Sequence, residues 1–257
     1  MDQTNIADGV SRWTGFGIKL SKELAKAVEL LETLRYAEVG RLPVFDIEAV
    51  TPENAEDKIH EFAKQLALSE VPGGGLSVLD RAKKQAVEGA ARRVVNLARH
   101  AVPSVIEQLT PEFDKHVDAY TAAVAKLPDD ITAETLVSAG ADAVSAYSDA
   151  LQEVQYLNRI DNWVVETGYV DGIIPKNMEV VVRILRPTSI SQLAEVDAAR
   201  HKQANQTLLA LDTVFFTAAR EGIPFGINTL RQAEQLRQSL EMVHPQKLSA
   251  TTTADFR

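Results

Sequence analysis

Two pairs of a carboxylate and a histidine have the spacing of a helical metal site. Asp57 and His60 are three residues apart, and so are Glu241 and His244. On a helix this spacing places both side chains on one face. Helical-bundle di-iron proteins use a Glu-x-x-His motif twice, with a glutamate from each of two further helices. A bundle metalloenzyme that uses these four residues is therefore one hypothesis.

The match to such a metal site is poor, because one pair has Asp in place of Glu and the other lies just before Pro245. Solvated surface pairs explain both motifs more simply. The same holds for Glu112 with His116 and for Asp197 with His201, which are four residues apart. We therefore predict no bound metal and no cofactor.

Other catalytic signatures are missing from the sequence. The motifs Gly-x-Ser-x-Gly and Gly-x-x-x-x-Gly-Lys-Ser/Thr do not occur, although a Ser-His-Asp triad assembles across a fold without a local signature. The chain has no cysteine, which excludes a thiol nucleophile and cysteine metal sites. We predict a non-enzymatic protein and single out no catalytic residue.

A strongly basic stretch occupies residues 76–100. It contains six lysines and arginines against Asp80 and Glu88, a net charge of +4. Five of these cations, on a predicted helix at 76–102, are candidates for an interaction: Arg81, Lys84, Arg92, Arg93 and Arg99. Such a stripe could follow phosphates, but the stretch has no aromatic residue for base stacking. Residues 44–70 carry a net charge of −5, so attraction between these neighbours, or a charged partner surface, is the simpler explanation.

The clearest helical signal lies in residues 133–166, where apolar or small residues recur at alternating intervals of four and three. This seven-residue periodicity indicates extended side-by-side packing, inside a bundle or with another chain. We expect Gly140 to permit close backbone approach and Asp161 to interrupt the seam. Further interaction candidates come from this helix: Leu136, Tyr147, Val154, Leu157 and Trp163.

The pattern of prolines, glycines and helix caps predicts a mainly α fold. We expect an elongated bundle of six to eight helices with one or two short β-strands. The N-terminal helical region, 1–130, holds the basic helix, and the C-terminal region, 131–257, holds the heptad-like helix. Short segments with β-branched residues or alternating polarity predict the strands, at 44–50 and 179–186.

Further helices follow from their caps and stripes. One is expected at 21–39, and another begins at the Thr51-Pro52-Glu53 cap and has an apolar stripe formed by Ile59, Phe62, Ala63 and Leu66. Pro103 should kink or end the basic helix, and a second Thr-Pro-Glu cap at Thr110 should start the next. A long helix is expected from Ser189 to Glu221, and Asn228 should cap the last one.

The overall composition is that of a folded protein. The net charge is −9, with 45% hydrophobic and 25% charged residues, which argues against wholesale disorder. The acidic balance disfavours a role as a nucleic-acid coat. The start of the chain lacks the basic-then-apolar pattern of a secretory signal, and no apolar run approaches the ~18–20 residues of a membrane span. We expect a cytoplasmic, non-secreted protein with no membrane partner.

Two short sequences, NLARH at 96–100 and PDDITAETL at 128–136, give the chain a family resemblance. The stretch 96–136 resembles uncharacterised Ala-rich helical proteins encoded by actinobacteria and their tailed phages. The resemblance implies a role in a virion or its assembly, and a location in the virion if the chain is phage-encoded. It transfers no functional residue.

The leading hypothesis is a non-enzymatic structural or interaction subunit of a larger assembly, such as a phage head or tail. It predicts protein partners or self-association. The alternative is a helical nucleic-acid-associated or regulatory protein that uses the basic helix, and the metalloenzyme is a third hypothesis.

Overall fold

Helices account for the architecture of the chain in its computed structural model. The structure describes residues 2–39, 43–69, 75–173 and 182–242. These ranges contain ten α-helices, and their only β pairing is an isolated bridge. The mainly α fold is confirmed. The chain divides into two units, Met1–Ala101 and Val102–Arg257, whereas the sequence placed the boundary at residue 130.

The first unit begins with short helices and ends inside a long one. Its helices are α1 (Gln3–Ser11), α2 (Lys22–Tyr36), α3 (Ala55–Ser69) and the first part of α4 (Val78–Val124), with 3-10 turns at Arg12–Phe16 and Ile47–Ala49. The strand predicted at 44–50 is wrong. The Asp46 side chain accepts a hydrogen bond from the Glu48 N–H, and such a local bond favours a turn over an extended strand.

Two bonds between elements tie the first unit together. Arg35 on α2 donates to Asp8 on α1 across 2.6 Å. The Lys83 ammonium on α4 donates to the carbonyl of Ala37 across 2.7 Å. The large buried side chains of the unit come from α1, the first 3-10 turn and α2, and they include Trp13, Leu24 and Leu31.

The long helix α4 runs without a break through Pro103 and Pro111. The helix therefore does not end at Pro103, and the predicted new start at Thr110 is wrong. Each proline removes one backbone hydrogen bond from the helix. Because both prolines lie on the exposed side of α4, solvent can bind the carbonyl groups that lose their helical donor.

The second unit continues α4 and adds a series of shorter helices. In its described residues these are α5 (Ala133–Ala139), α6 (Ala141–Val170), α7 (Ile190–His201), α8 (Gln206–Ala210), α9 (Thr213–Arg220) and α10 (Leu230–Met242). Apolar side chains of α7, α9 and α10 form two small clusters with the segment that precedes α7. One contains Leu185, Val196 and Ala218, and the other contains Leu193 and Ala233.

The predicted helix 133–166 is divided into α5 and α6 at Gly140. This glycine has φ +96° and ψ −176°, a backbone conformation that other residues rarely adopt. Apart from its own chain neighbours, no atom of the described residues lies within 4 Å of the position that a Cβ on Gly140 would take. The prediction that Gly140 permits close backbone approach is therefore wrong, since its backbone angles are what require glycine.

The single helix predicted from Ser189 to Glu221 is three helices. Ser189 caps α7 as predicted, because its hydroxyl accepts from the Gln192 N–H at 3.2 Å. Two further caps inside the predicted helix start α8 and α9. Asn205 caps the first through the Leu208 N–H, and Asp212 caps the second.

The strand predicted at 179–186 lies partly outside the described residues. In the part that is described, residues 182–184 form a turn or bend, and Leu185 makes a single antiparallel bridge with Phe225. The described part is therefore no strand.

Asn228 does not cap the last helix, contrary to the prediction. Its side chain is buried, and its Nδ2 donates to the carbonyls of Val182 and Leu185 at 2.8 and 2.9 Å. Asn228 thus fixes the turn before α7. Thr229 caps α10 instead, through the Gln232 N–H.

None of the helices in the described ranges is long and apolar enough to cross a bilayer.

Candidate interaction surface

The predicted cations of α4 are exposed, and its four arginines project away from its buried residues. All five predicted interaction candidates are exposed: Arg81, Lys84, Arg92, Arg93 and Arg99. The opposite side of this part of α4 is buried, because the helix carries its apolar residues there: Ala90, Ala91, Val94, Val95 and Ala98. The helix therefore presents its positive charge outward from the first unit.

A strip of small residues runs along the exposed side of α4 beside its arginines. Ala82, Ala86 and Gly89 are exposed, and outside its own stretch of helix no atom of the described residues lies within 4 Å of the position that a Cβ on Gly89 would take. At 3.6 residues per turn, Arg93 continues the line of this strip one turn beyond Gly89, whereas Arg81, Arg92 and Arg99 lie together on one side of it. We call the strip and the four arginines the basic surface of α4.

Helix α3 leaves its apolar stripe exposed. An amphipathic helix normally turns such a stripe toward a core, yet Ser69 is the one described residue of α3 that is buried. Ile59 is 59% exposed and Leu66 is 44% exposed. Phe62 is half-buried, because its ring lies 5.1 Å from that of Phe45 in an edge-to-face contact. The sequence identified the stripe but gave no sign that it would remain uncovered.

The exposed stripe belongs to a strongly acidic part of the chain. Residues 43–69, which we call the acidic segment, contain six acids against Lys58 and Lys64, a net charge of −4. All six carboxylates are exposed. Val44 and Ile47 in this segment are 87% and 70% exposed. The acidic segment therefore combines negative charge with accessible apolar side chains.

The candidates on α5 and α6 lie inside the second unit. Four of them are 5% exposed or less: Leu136, Val154, Leu157 and Trp163. Tyr147 is half-buried and donates its hydroxyl to the Thr207 carbonyl at 2.9 Å. These side chains pack within the unit rather than on an accessible surface. Heptad periodicity could not separate the two cases, because it is the same for a neighbouring helix and for a partner chain.

His116 on α4 lies between two carboxylates. Its Nε2 is 3.2 Å from Oε1 of Glu112, its Nδ1 makes a short contact with Glu153 on α6, and its ring stacks on Tyr156 at 3.8 Å. The carboxylates approach opposite edges of the ring, so one ion cannot bind both of them and a ring nitrogen. The cluster connects α4 to α6 rather than forming a metal site.

The residues of the metal hypothesis form other contacts. His60 lies 3.9 Å from Glu56 rather than beside Asp57, and its side chain is exposed. Glu241 accepts from Arg237 at 2.9 Å, and His244 lies outside the described residues. Within the described ranges, no group of three or more His, Asp or Glu residues is placed to hold a metal ion.

A second polar cluster joins α6 to the turn before α7. Arg183 makes a two-point ion pair with Asp161, with Nε 2.7 Å from Oδ1, and only 19% and 16% of the two side chains is exposed. This pair explains why Asp161 interrupts the apolar seam. Arg183 was predicted as a strand residue, so the sequence offered no sign of the pairing.

Asp212 lies close to this pair. Its ionised form is disfavoured by burial, and its backbone has an unusual conformation. Burial raises the pKa of Asp212, although the N–H groups of Phe215 and Val214 lower it by hydrogen bonding. Its φ of 60° is the one positive value among the described non-glycine residues. Nearby, the Tyr120 hydroxyl donates to the Leu211 carbonyl at 2.7 Å, and burial raises the pKa of Tyr120.

An open cleft of about 500 Å³ lies beside α7, α8 and α9. Both acidic and basic side chains line it, among them Glu195, Lys202 and Arg220. Arg220 is already engaged, because it donates to the carbonyls of Leu127 and Pro128 at 2.6 and 2.7 Å. The mixed charges favour no particular class of ligand.

No family model, curated protein or solved structure matches the chain. The choice among the possible sites therefore follows from their geometry, which favours the two uncovered surfaces of the first unit.

Proposed function

We propose that the chain is a non-enzymatic structural or interaction subunit of a larger assembly. The observation that carries this proposal is the exposed apolar stripe of α3. Fully burying a side chain of the size of Leu or Ile stabilises a protein by about 1.5–3 kcal/mol, and contiguous exposed apolar surface marks sites of association. A protein partner that covers Ile59 and Leu66 is therefore stabilised in its complex with the chain.

We further propose a tailed-phage virion, head or tail, as the assembly. The support is the resemblance of residues 96–136 to Ala-rich helical proteins of actinobacteria and their phages. Mass spectrometry of purified particles tests this setting. We expect the chain at a fixed copy number per particle, and particles without the chain would contradict the proposal.

Affinity capture under native conditions tests the interaction role. The α3 variant carries Ile59→Glu with Leu66→Glu, and we expect it to lose the partners that the unaltered chain retains in fixed proportion. The matched control carries Val137→Glu with Val144→Glu, which changes two exposed valines of the second unit, and it should retain those partners. Equal retention by both variants would contradict the role of α3.

A second candidate function is nucleic-acid binding, which the exposure of all five α4 cations favours. Binding through phosphates weakens linearly on a log–log plot against salt, with a slope of about −0.9 per contact on B-DNA. Titration of DNA and RNA at two salt concentrations tests this function. If Arg92→Glu with Arg93→Glu leaves the affinity and the salt slope unchanged, the basic surface is not the contact.

A further inference from the structure

We propose that the partner of the acidic segment is a second copy of this chain. In a two-fold dimer, α3 of each copy packs its apolar stripe on the basic surface of α4 of the other copy. This inference rests on the proposed function and names the partner that the exposed stripe meets.

The shapes of the two surfaces fit each other. Ile59 and Leu66 project from α3, while Ala82, Ala86 and Gly89 leave a shallow strip along α4. The open space above Gly89 allows a large side chain to approach the α4 backbone. Large residues packed against small ones let two helices come close together.

The charges of the two surfaces are complementary. The acidic segment has a net charge of −4, and residues 76–100 of α4 have a net charge of +4. The acids of the segment and three arginines beside the strip or at its end, Arg81, Arg92 and Arg93, are exposed. Complementary charges around an apolar contact set its orientation and accelerate association.

Self-association follows because one unit carries both surfaces and covers neither. In a two-fold interface, each contact between residue i of one copy and residue j of the other occurs twice. Every copy therefore contributes one acidic segment and receives another. The two sites form together, which doubles the apolar area that dimerisation buries.

Charge reversal on separate copies tests this arrangement. The first variant carries Glu48→Lys, Glu56→Lys and Glu61→Lys, which changes the acidic segment from −4 to +2. The second carries Arg81→Glu, Arg92→Glu and Arg93→Glu, which changes residues 76–100 from +4 to −2. All six positions are exposed. Circular dichroism and thermal unfolding establish that each full-length variant is folded.

Light scattering and native mass spectrometry then measure the mass of each full-length chain. We expect the unaltered chain to be a dimer. Each variant alone should have a dimer dissociation constant raised more than about tenfold, and the two variants together should form a mixed dimer. Combination restores the attraction in both contacts, because each reversed surface then meets one of opposite sign. A control with Asp114→Lys, Asp118→Lys and Asp149→Lys, at exposed positions of the second unit, should remain a dimer.

Three results would overturn the inference: a monomeric unaltered chain, variants that each dimerise as tightly as the unaltered chain, or a mixture that stays monomeric. The proposed function is judged separately, by the capture experiment with the α3 variant. If the unaltered chain is a monomer but Ile59→Glu with Leu66→Glu abolishes capture of a different protein, the dimer is wrong and the interaction role stands. If capture is also unaffected, both are wrong.

Discussion

Asp212 shows how one residue ends a predicted helix and starts another. It interrupts an apolar run that the sequence assigned to one long helix, and its carboxylate accepts from the N–H groups of Val214 and Phe215 at 2.9 and 3.2 Å. Asp is an ordinary N-cap residue, so its identity was compatible with a break. Its φ of 60° depends on the surrounding structure, which is why the sequence alone could not place the break there.

We expect Asp212→Asn to stabilise the fold at neutral pH. Because the pKa of Asp212 is raised in the folded state, its ionised form is disfavoured there, and its favourable contribution to stability is lost as the pH rises through that pKa. Asparagine keeps the cap without the charge.

Urea unfolding of Asp212→Asn and the unaltered chain from about pH 4 to pH 7 measures this effect. The stability difference should widen as the pH rises. Asp212→Ala, which removes the cap, should cost about 0.5–2 kcal/mol. A difference that does not change with pH would contradict the role of the buried charge.

Removing one partner of the ion pair between Asp161 and Arg183 should lower the free energy of unfolding more than replacing both partners with apolar residues. Either single change, Asp161→Leu or Arg183→Met, leaves a mostly buried charge without its partner, and we expect a loss of about 3–5 kcal/mol. The double variant removes both charges and should be more stable than either single one. Urea unfolding of the four chains measures the coupling, and additive losses would show that the pair contributes nothing as a unit.

At the scale of elements, the sequence predicted some helix starts correctly and missed most of the breaks. Ser189 caps α7 as the sequence indicated, and Ser21, where the sequence placed the start of a helix, caps α2. The break at Gly140 was missed because the heptad spacing continues across it. The continuity of α4 through Pro103 was missed because solvent exposure, which makes a helical proline tolerable, is a property of the folded chain.

Gly140→Ala should destabilise the junction of α5 and α6 through the backbone alone. Its φ of +96° disfavours any residue with a Cβ, whereas nothing lies near enough to clash. We expect a loss of about 1–2 kcal/mol in urea unfolding. A neutral or stabilising effect would mean that the junction does not need the left-handed conformation.

Gly168→Ala should destabilise the second unit for the opposite reason. A Cβ on this helical residue of α6 would lie 2.1 Å from Cδ1 of Leu230 on α10, so either the leucine or α10 must move. Overpacking of this kind costs about 1–3 kcal/mol. Thermal unfolding compares Gly168→Ala in the unaltered chain with the same change in a chain that carries Leu230→Ala. The shorter side chain at position 230 should reduce the penalty of Gly168→Ala, and an unchanged penalty would place the strain elsewhere.

At the scale of the whole molecule, composition and periodicity predicted the helical class but not what the helices face. Apolar stripes of the same kind contain Val154 and Leu157, which are buried on α6, and Ile59 and Leu66, which are exposed on α3. A stripe shows that a helix has an apolar side, and only the fold shows whether another element covers it. The net charge of −9 likewise conceals an acidic segment and a basic helix of opposite sign.

Amide hydrogen exchange in Ala55–Ser69 is the most direct test of the central claim, that a second copy covers α3. A helix of this length is marginal in water without packing, so its exchange rate reports whether it is covered. In the concentrated full-length chain we expect slow exchange across α3, which becomes fast on dilution and in Ile59→Glu with Leu66→Glu. Equally fast exchange at all concentrations and in both chains would contradict the claim.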